Sequence, residues 1–227
     1  MSADRILAPA EMCGRELARR RVALALLTAL PLAFYEAQSG HDAHAPVTGG
    51  IAMAFSLAGA AIFAAITARA VDQRLTLAGY RPLELLIGRL ILLEAFGIAV
   101  AAMFSVVMTI GSDPAHPWVL AAGVELVALT AVPFGLAVGA LAPHELEAVL
   151  IMIGAVGIQL TLDSSQTIAK ALPFWGPQRV IQNSLDPTVS IGAAIPVAIG
   201  YAAALLAAAA YVMHRRAANS ARTAANV

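Results

Sequence analysis

Long apolar runs alternate along this chain with short charged or Gly/Pro-punctuated stretches, and the runs set the first expectation. They cover residues 22–38, 51–70, 85–110, 118–141, 148–166 and 191–213. None keeps the period-two alternation of a barrel strand, so each predicts a helix. At about 1.5 Å per residue the longer runs cross about 30 Å of hydrocarbon with some tilt. Lipid offers no water to backbone N–H and C=O groups, which a helix satisfies internally. The pattern predicts an all-α, polytopic membrane protein with six transmembrane helices. Residues 148–162 are short for a span, so the fifth is expected to continue into the polar run that begins at Asp163.

The polar stretches predict which side each connection faces. Residues 1–21 place Ile6, Leu7, Met12 and Leu17 among Asp4, Arg5, Glu11, Arg15, Glu16 and Arg19–Arg21. This is the pattern of an interfacial helix on the cytoplasmic membrane surface, with a solvated tail as the alternative. It does not read as a cleaved signal, because the arginines follow Ile6 and Leu7 and no small-residue site closes a short apolar core. Residues 69–89 carry Arg69, Asp72, Arg74, Arg81, Glu84 and Arg89, the densest mid-chain charge in a protein only 12% charged. They read as a cytoplasmic elbow between the second and third spans. All Lys and Arg except Lys170 and Arg179 fall on the elbow's side in a six-span arrangement, which puts both termini, including the tail 214–227, in the cytoplasm.

Loops 39–50 and 111–117 lack Lys and Arg, as non-cytoplasmic loops do, and Trp118 stands where an interfacial aromatic anchor belongs. Residues 163–190 are too polar to span. They are expected to form a structured outer loop, with re-entry one form open to it, whose Phe174, Trp175, Val180, Ile181 and Leu185 dip into the outer interface.

Composition narrows the function. With 227 residues, 60% of them hydrophobic, and a mean hydropathy of +0.79, the chain is too apolar for an ordinary soluble domain. Net charge is zero and no basic block interleaves with aromatics, so nucleic acid is not an expected partner. Cys13 is alone, which excludes a disulfide within the chain. There is no phosphate-binding loop, G-x-S-x-G elbow or H-E-x-x-H motif, so no catalytic residue is assigned and the chain is not expected to be an enzyme.

Four constellations remain. Glu94 and Glu125 lie within spans, where a carboxylate is costly and faces a bundle interior, a cavity or a partner. Glu94 shares a helical face with Gly97, Ala101 and Ser105, and Glu125 with Ala128, Gly135 and Gly139, so both should face protein, as a pathway pair or as structural carboxyls. Gln159, Thr161, Asp163, Ser164, Ser165 and Gln166 make a polar outer end to the fifth span, read as the lining of an exit or as a helix end among headgroups. His41, Asp42, His44, Asp113 and His116 sit on outer loops, but their spacing is weak for a metal site and none is assigned. In the elbow, charged residues precede Leu75, Leu77, Gly79 as a helix stop, Tyr80 and Pro82. A short helix there would present Asp72, Arg74 and Arg81 to a cytoplasmic partner.

The basic segment Arg15 and Arg19–Arg21, a first span beginning VALALLTALPLAF, the charged elbow, the run PLELLIGRL from Pro82, the outer LPFW from Leu172 and the basic tail together resemble an ABC-2-type permease, the membrane subunit of an ABC exporter of the type V kind. The best local match is 82–90, similar to the segment where the family's coupling helix meets the third span. The family's usual Glu and Gly ahead of that helix are replaced by Asp72-Gln73-Arg74. The resemblance implies a six-span domain (22–213) behind the N-terminal helix. It also implies a second permease protomer, identical or not, and a separate ABC ATP-binding subunit docked on Asp72, Arg74, Leu77, Tyr80, Arg81, Pro82 and Glu84. ATP and Mg would belong to that partner, with no cofactor on this chain. A hydrophobic or amphipathic compound such as a drug, peptide, lipid or polymer would be exported from the bacterial plasma (inner) membrane past Glu94, Glu125, Gln159 and Asp163. Two other classes stay open: an ion-coupled secondary transporter using Glu94 and Glu125, and a membrane assembly factor or enzyme with a His-based metal site.

Overall fold

The computed structural model describes residues 3–19, 21–40 and 44–225. In chain order the helices are α1 (Ala3–Arg19), α2 (Arg21–Ser39), α3 (Ala45–Thr67), α4 (Arg69–Leu77), α5 (Pro82–Ser112), α6 (Pro117–Leu141), α7 (Glu145–Thr161), α8 (Trp175–Leu185) and α9 (Ala194–Ala225), with a 3-10 turn at Thr167–Ala171. No strand occurs among the described residues. Four helices, α3, α5, α6 and α9 up to Asn219, are long and apolar enough to cross a membrane.

The bundle is built around α6. Of its most apolar stretch 72% is buried, and of that of α3 67%, against 28% for α5 and 11% for α9. So α3 and α6 form the interior, while the apolar outer faces of α5 and α9 are left for lipid. The α3–α6 contact is close because Gly135 and Gly139 lie one helical turn apart. A Cβ on Gly139 would lie 2.7 Å from the Ala65 Cβ, and one on Gly135 would run into the Ala58 carbonyl. This is the small-residue packing that lets membrane helices approach.

The connections gather at two ends. At one lie α4, the α6–α7 turn and the stretch of α9 near Met213 and Arg216, joined by the Arg69 hydrogen bond to the Pro143 carbonyl and by a shared cavity. At the other, the His116 amide donates to the Ser184 carbonyl, and Tyr35 packs on Gly111. Helices α2 and α7 also run from end to end. Arg69, Arg74, Arg81, Arg89 and Arg216 belong to the elbow end, and Lys170 and Arg179 to the other. Helix α1 leans on α5, with Gly14 against Leu92.

Several boundaries depart from expectation. Helix α3 begins six residues before the expected 51, because Pro46 suits a first helical turn and Gly49 and Gly50 fit under Tyr35, Met108 and Ile181. Helix α7 stops at Thr161, short of 166. Helix α9 continues through most of the expected tail. The largest difference is residues 163–190. Phe174, Trp175, Val180 and Ile181 are buried against protein and do not dip into an interface. The reason is local: Gly123 leaves room for Ile181 and Gly176 for Ala198 and the Ala194 carbonyl, so α8 sinks onto α6 and α9. The Trp175 indole N–H then donates to the Ser164 carbonyl (2.8 Å), and the Phe174 ring meets Phe134 edge-on at 5.5 Å.

Candidate functional site

The elbow is the most built polar region of the molecule. Helix α4 closes with a complete Schellman turn. The Tyr80 amide donates to the Leu75 carbonyl (3.0 Å) and the Gly79 amide to Thr76 (3.1 Å), with Gly79 at φ 92°, a conformation that favours glycine. Helix α5 starts two residues later with Pro82 in its first turn. The Glu84 carboxylate turns back to accept the Arg81 amide (3.0 Å), which satisfies one of the donors a helix start leaves open.

No residue of α4 is buried, so packing does not hold it. Charge does, at two anchors. The Arg89 guanidinium, on α5, donates through Nη2 to both Asp72 carboxylate oxygens (2.9 and 3.2 Å). The Arg89 and Asp72 side chains are 8% and 16% exposed. At the first residue of α4, Arg69 donates to the carbonyls of Gly139 (2.6 Å), Ala142 (2.5 Å) and Pro143 (2.7 Å). It thereby caps the C-terminal end of α6, where open carbonyls and the helix dipole favour a cation. Burial, and after it the positive charge of Arg216, push the Arg69 pKa down, though an arginine stays charged.

This geometry divides the seven elbow residues. Arg74, Leu77 and Arg81 are exposed, Leu77 at 67%. Tyr80 and Pro82 are half-buried. Asp72 and Glu84 face inward, contrary to the expectation that Asp72 meets a partner. A carboxylate beside a buried guanidinium or an open helix N-terminus gains charge-assisted hydrogen bonds that it lacks when turned to solvent.

The intramembrane residues do not form one constellation. The face of Glu94 is protein-facing as expected, with Ala101 and Ser105 buried and Gly97 against Ala128 and Leu57. Glu94 Oε2 is buried and makes no hydrogen bond among the described residues. From the Gly97–Ala128 level, Glu94 lies toward the elbow and Glu125 toward the other end. The two are offset by about 9 Å along the bundle at about 1.5 Å per residue, so they are not a pair at one depth. Gln159 is fully buried and donates to the Gln178 Oε1 (2.6 Å) beneath α8, so it lines no open exit. Asp163 is exposed, and hydrogen bonds from Ser165 hold its carboxyl below the usual range.

His41 and Asp42 lie outside the described residues. Among those described, no group of His, Cys, Asp and Glu could hold a metal ion. Sequence reasoning missed the partners of Arg69 and Arg89. Asp72 and Arg89, 17 residues apart, meet only once the Gly79 stop folds α4 back on α5.

Fold and composition together define a polytopic, all-helical integral membrane protein. No family model, no curated protein and no solved structure matches it.

Proposed function

We propose that this chain is the membrane-spanning subunit of an ATP-driven exporter of the ABC-2 kind, with six crossing helices and both termini in the cytoplasm. Its elbow would receive a separate ATP-binding subunit, a second permease protomer would complete the pathway, and a hydrophobic or amphipathic compound would be the cargo. The observation that carries the reading is α4 itself. It is a short helix with no buried residue, placed between two membrane-length helices and tied by Arg89 to α5 and by Arg69 to the end of α6. A push on its exposed Arg74 and Leu77, or on Arg81 at the start of α5, would reach α5 and α6 through charged contacts rather than through a soft loop. Helices α2 and α7 would supply the two crossings beyond the four apolar ones, and the crowding of arginines at the elbow end supports its cytoplasmic placement.

The test is purification of the tagged chain from its native host in mild detergent, with identification of what accompanies it and an ATPase assay. A P-loop protein is expected to co-purify with the native chain and to be lost from the Arg74→Glu, Leu77→Asp variant, which spares both anchors. Recovery of the chain without ATPase activity would contradict the reading. A second reading, an ion-coupled carrier, is favoured by the unpartnered Glu94 Oε2. It predicts transport driven by a pH gradient and abolished by Glu94→Gln, with the elbow variant unaffected.

A further inference from the structure

Two cavities meet at the Asp72–Arg89 ion pair. The first, of about 430 Å³, lies between α1, α2, α3 and α4. A volume of this size falls within the range of about 300–1,000 Å³ typical of small-molecule sites. Its wall on α3 runs from Phe55 to Thr67, roughly 18 Å of helix at about 1.5 Å per residue, so the space is long and parallel to the helices. Met12, Leu26, Leu30 and Phe63 line it and remain 51%, 60%, 44% and 37% exposed. Ser56, Thr67, Asp72 and Arg89 interrupt the apolar wall; Ser56 is 4% exposed, and its hydroxyl has no hydrogen-bond partner. A serine in a helix can bond back to a carbonyl of the preceding turn, and Ser56 does not. An unmade hydrogen bond at a buried hydroxyl is costly.

The second cavity, of about 390 Å³, lies on the other side of the pair, lined by Arg69, Arg89 and Arg216 against Asp72 alone. The Arg89 bonds to Asp72 use one of its nitrogens, and a guanidinium presents five donors. The apolar length of one cavity and the positive excess of the other share the Asp72–Arg89 pair as their common wall.

From this juxtaposition we infer that the protein binds a single-chain anionic amphiphile, its aliphatic chain along α2 and α3 past Ser56 and its carboxylate or phosphate head at Arg89. The occupant is a lipid-like molecule and not a free anion, because the first cavity is walled mainly by apolar side chains along its length on α3. The site stands on these contacts alone, whether or not the chain is an exporter subunit.

The test uses the full chain in phosphatidylcholine nanodiscs and palmitate carrying a photoactivatable diazirine in its chain, with labelled residues mapped by mass spectrometry. The matching neutral monoacylglycerol is the control for the head. Palmitate labelling is expected on the α2 and α3 residues that line the cavity, saturable by unlabelled palmitate, with the neutral compound labelling them several-fold less. Leu30→Trp, at a half-exposed position that tolerates bulk, should block saturable labelling. Unsaturable labelling spread evenly over the outer faces of α5 and α9 would overturn the site. Equal labelling by the neutral compound, or labelling unchanged by Leu30→Trp, would overturn it as well.

Discussion

The two ends of the bundle are secured by different means. At the elbow end, α4 buries nothing and is held by the Arg89–Asp72 pair and the Arg69 cap on α6. At the other end, α8 buries Trp175, Val180 and Ile181 and adds neutral hydrogen bonds, Gln159 to Gln178 and Trp175 to Ser164. Close packing is short-ranged and is lost with small displacements. Charged contacts fall off more gently with distance. Packing therefore makes α8 a fixed plug, whereas on the proposed reading α4 would be a lever able to shift while staying attached to α5 and α6.

The comparison breaks most readily at the plug. Phe174→Ala removes a fully buried ring and is expected to destabilise the protein by about 3–5 kcal/mol, seen as a lowered unfolding midpoint in detergent. Trp118→Ala, at a ring 87% exposed, serves as the control and should change little. Next comes the first anchor. Arg89→Gln leaves the Asp72 carboxylate half-buried without its cation and should cost about 2–3 kcal/mol, less than the about 3–5 of a fully buried pair. The double change Asp72→Asn, Arg89→Gln should recover part of that loss, and a double-mutant cycle reads the coupling. Additive losses would mean the pair is not a unit.

The second anchor is weaker. Arg69→Ala removes the cation at the end of α6 and should cost about 1–2 kcal/mol, with faster amide exchange in the last turn of that helix. Smallest is the acid response of the plug's loops. Asp163 is held below the usual carboxylate range by Ser165, and Asp186 by Thr188. A group whose pKa is depressed on folding contributes stability that is present above its unfolded value, about 3.9, and is lost as pH falls through the lower folded value. Stability should therefore fall slightly below about pH 4, and Asp163→Asn with Asp186→Asn should flatten that decline.

How much of this was legible in the sequence follows from the range of the forces involved. The α5 and α6 spans and the Gly79 stop were readable because apolar runs and turn chemistry are local. The Gly135 and Gly139 pair announced a close helix contact without saying that α3 was the partner. The inward turn of Asp72 was not readable, since Arg89 reaches it only after α4 folds back on α5. Burial of Phe174 and Ile181 was missed for a related reason. Residues 163–190 are polar on average, and only the gaps at Gly123 and Gly176, far apart in the chain, give the apolar face of α8 a place to sink.

The central claim is that the exposed face of α4 receives a partner. The most direct measurement places Leu77→Cys in a Cys13→Ser background and follows maleimide labelling in native membranes and in the purified chain. Ile168→Cys, 65% exposed at the opposite end, is the control. The account predicts that Leu77→Cys is protected in native membranes and labels freely once purified alone, while Ile168→Cys labels alike in both. Equal and rapid labelling of Leu77→Cys in both preparations would contradict it.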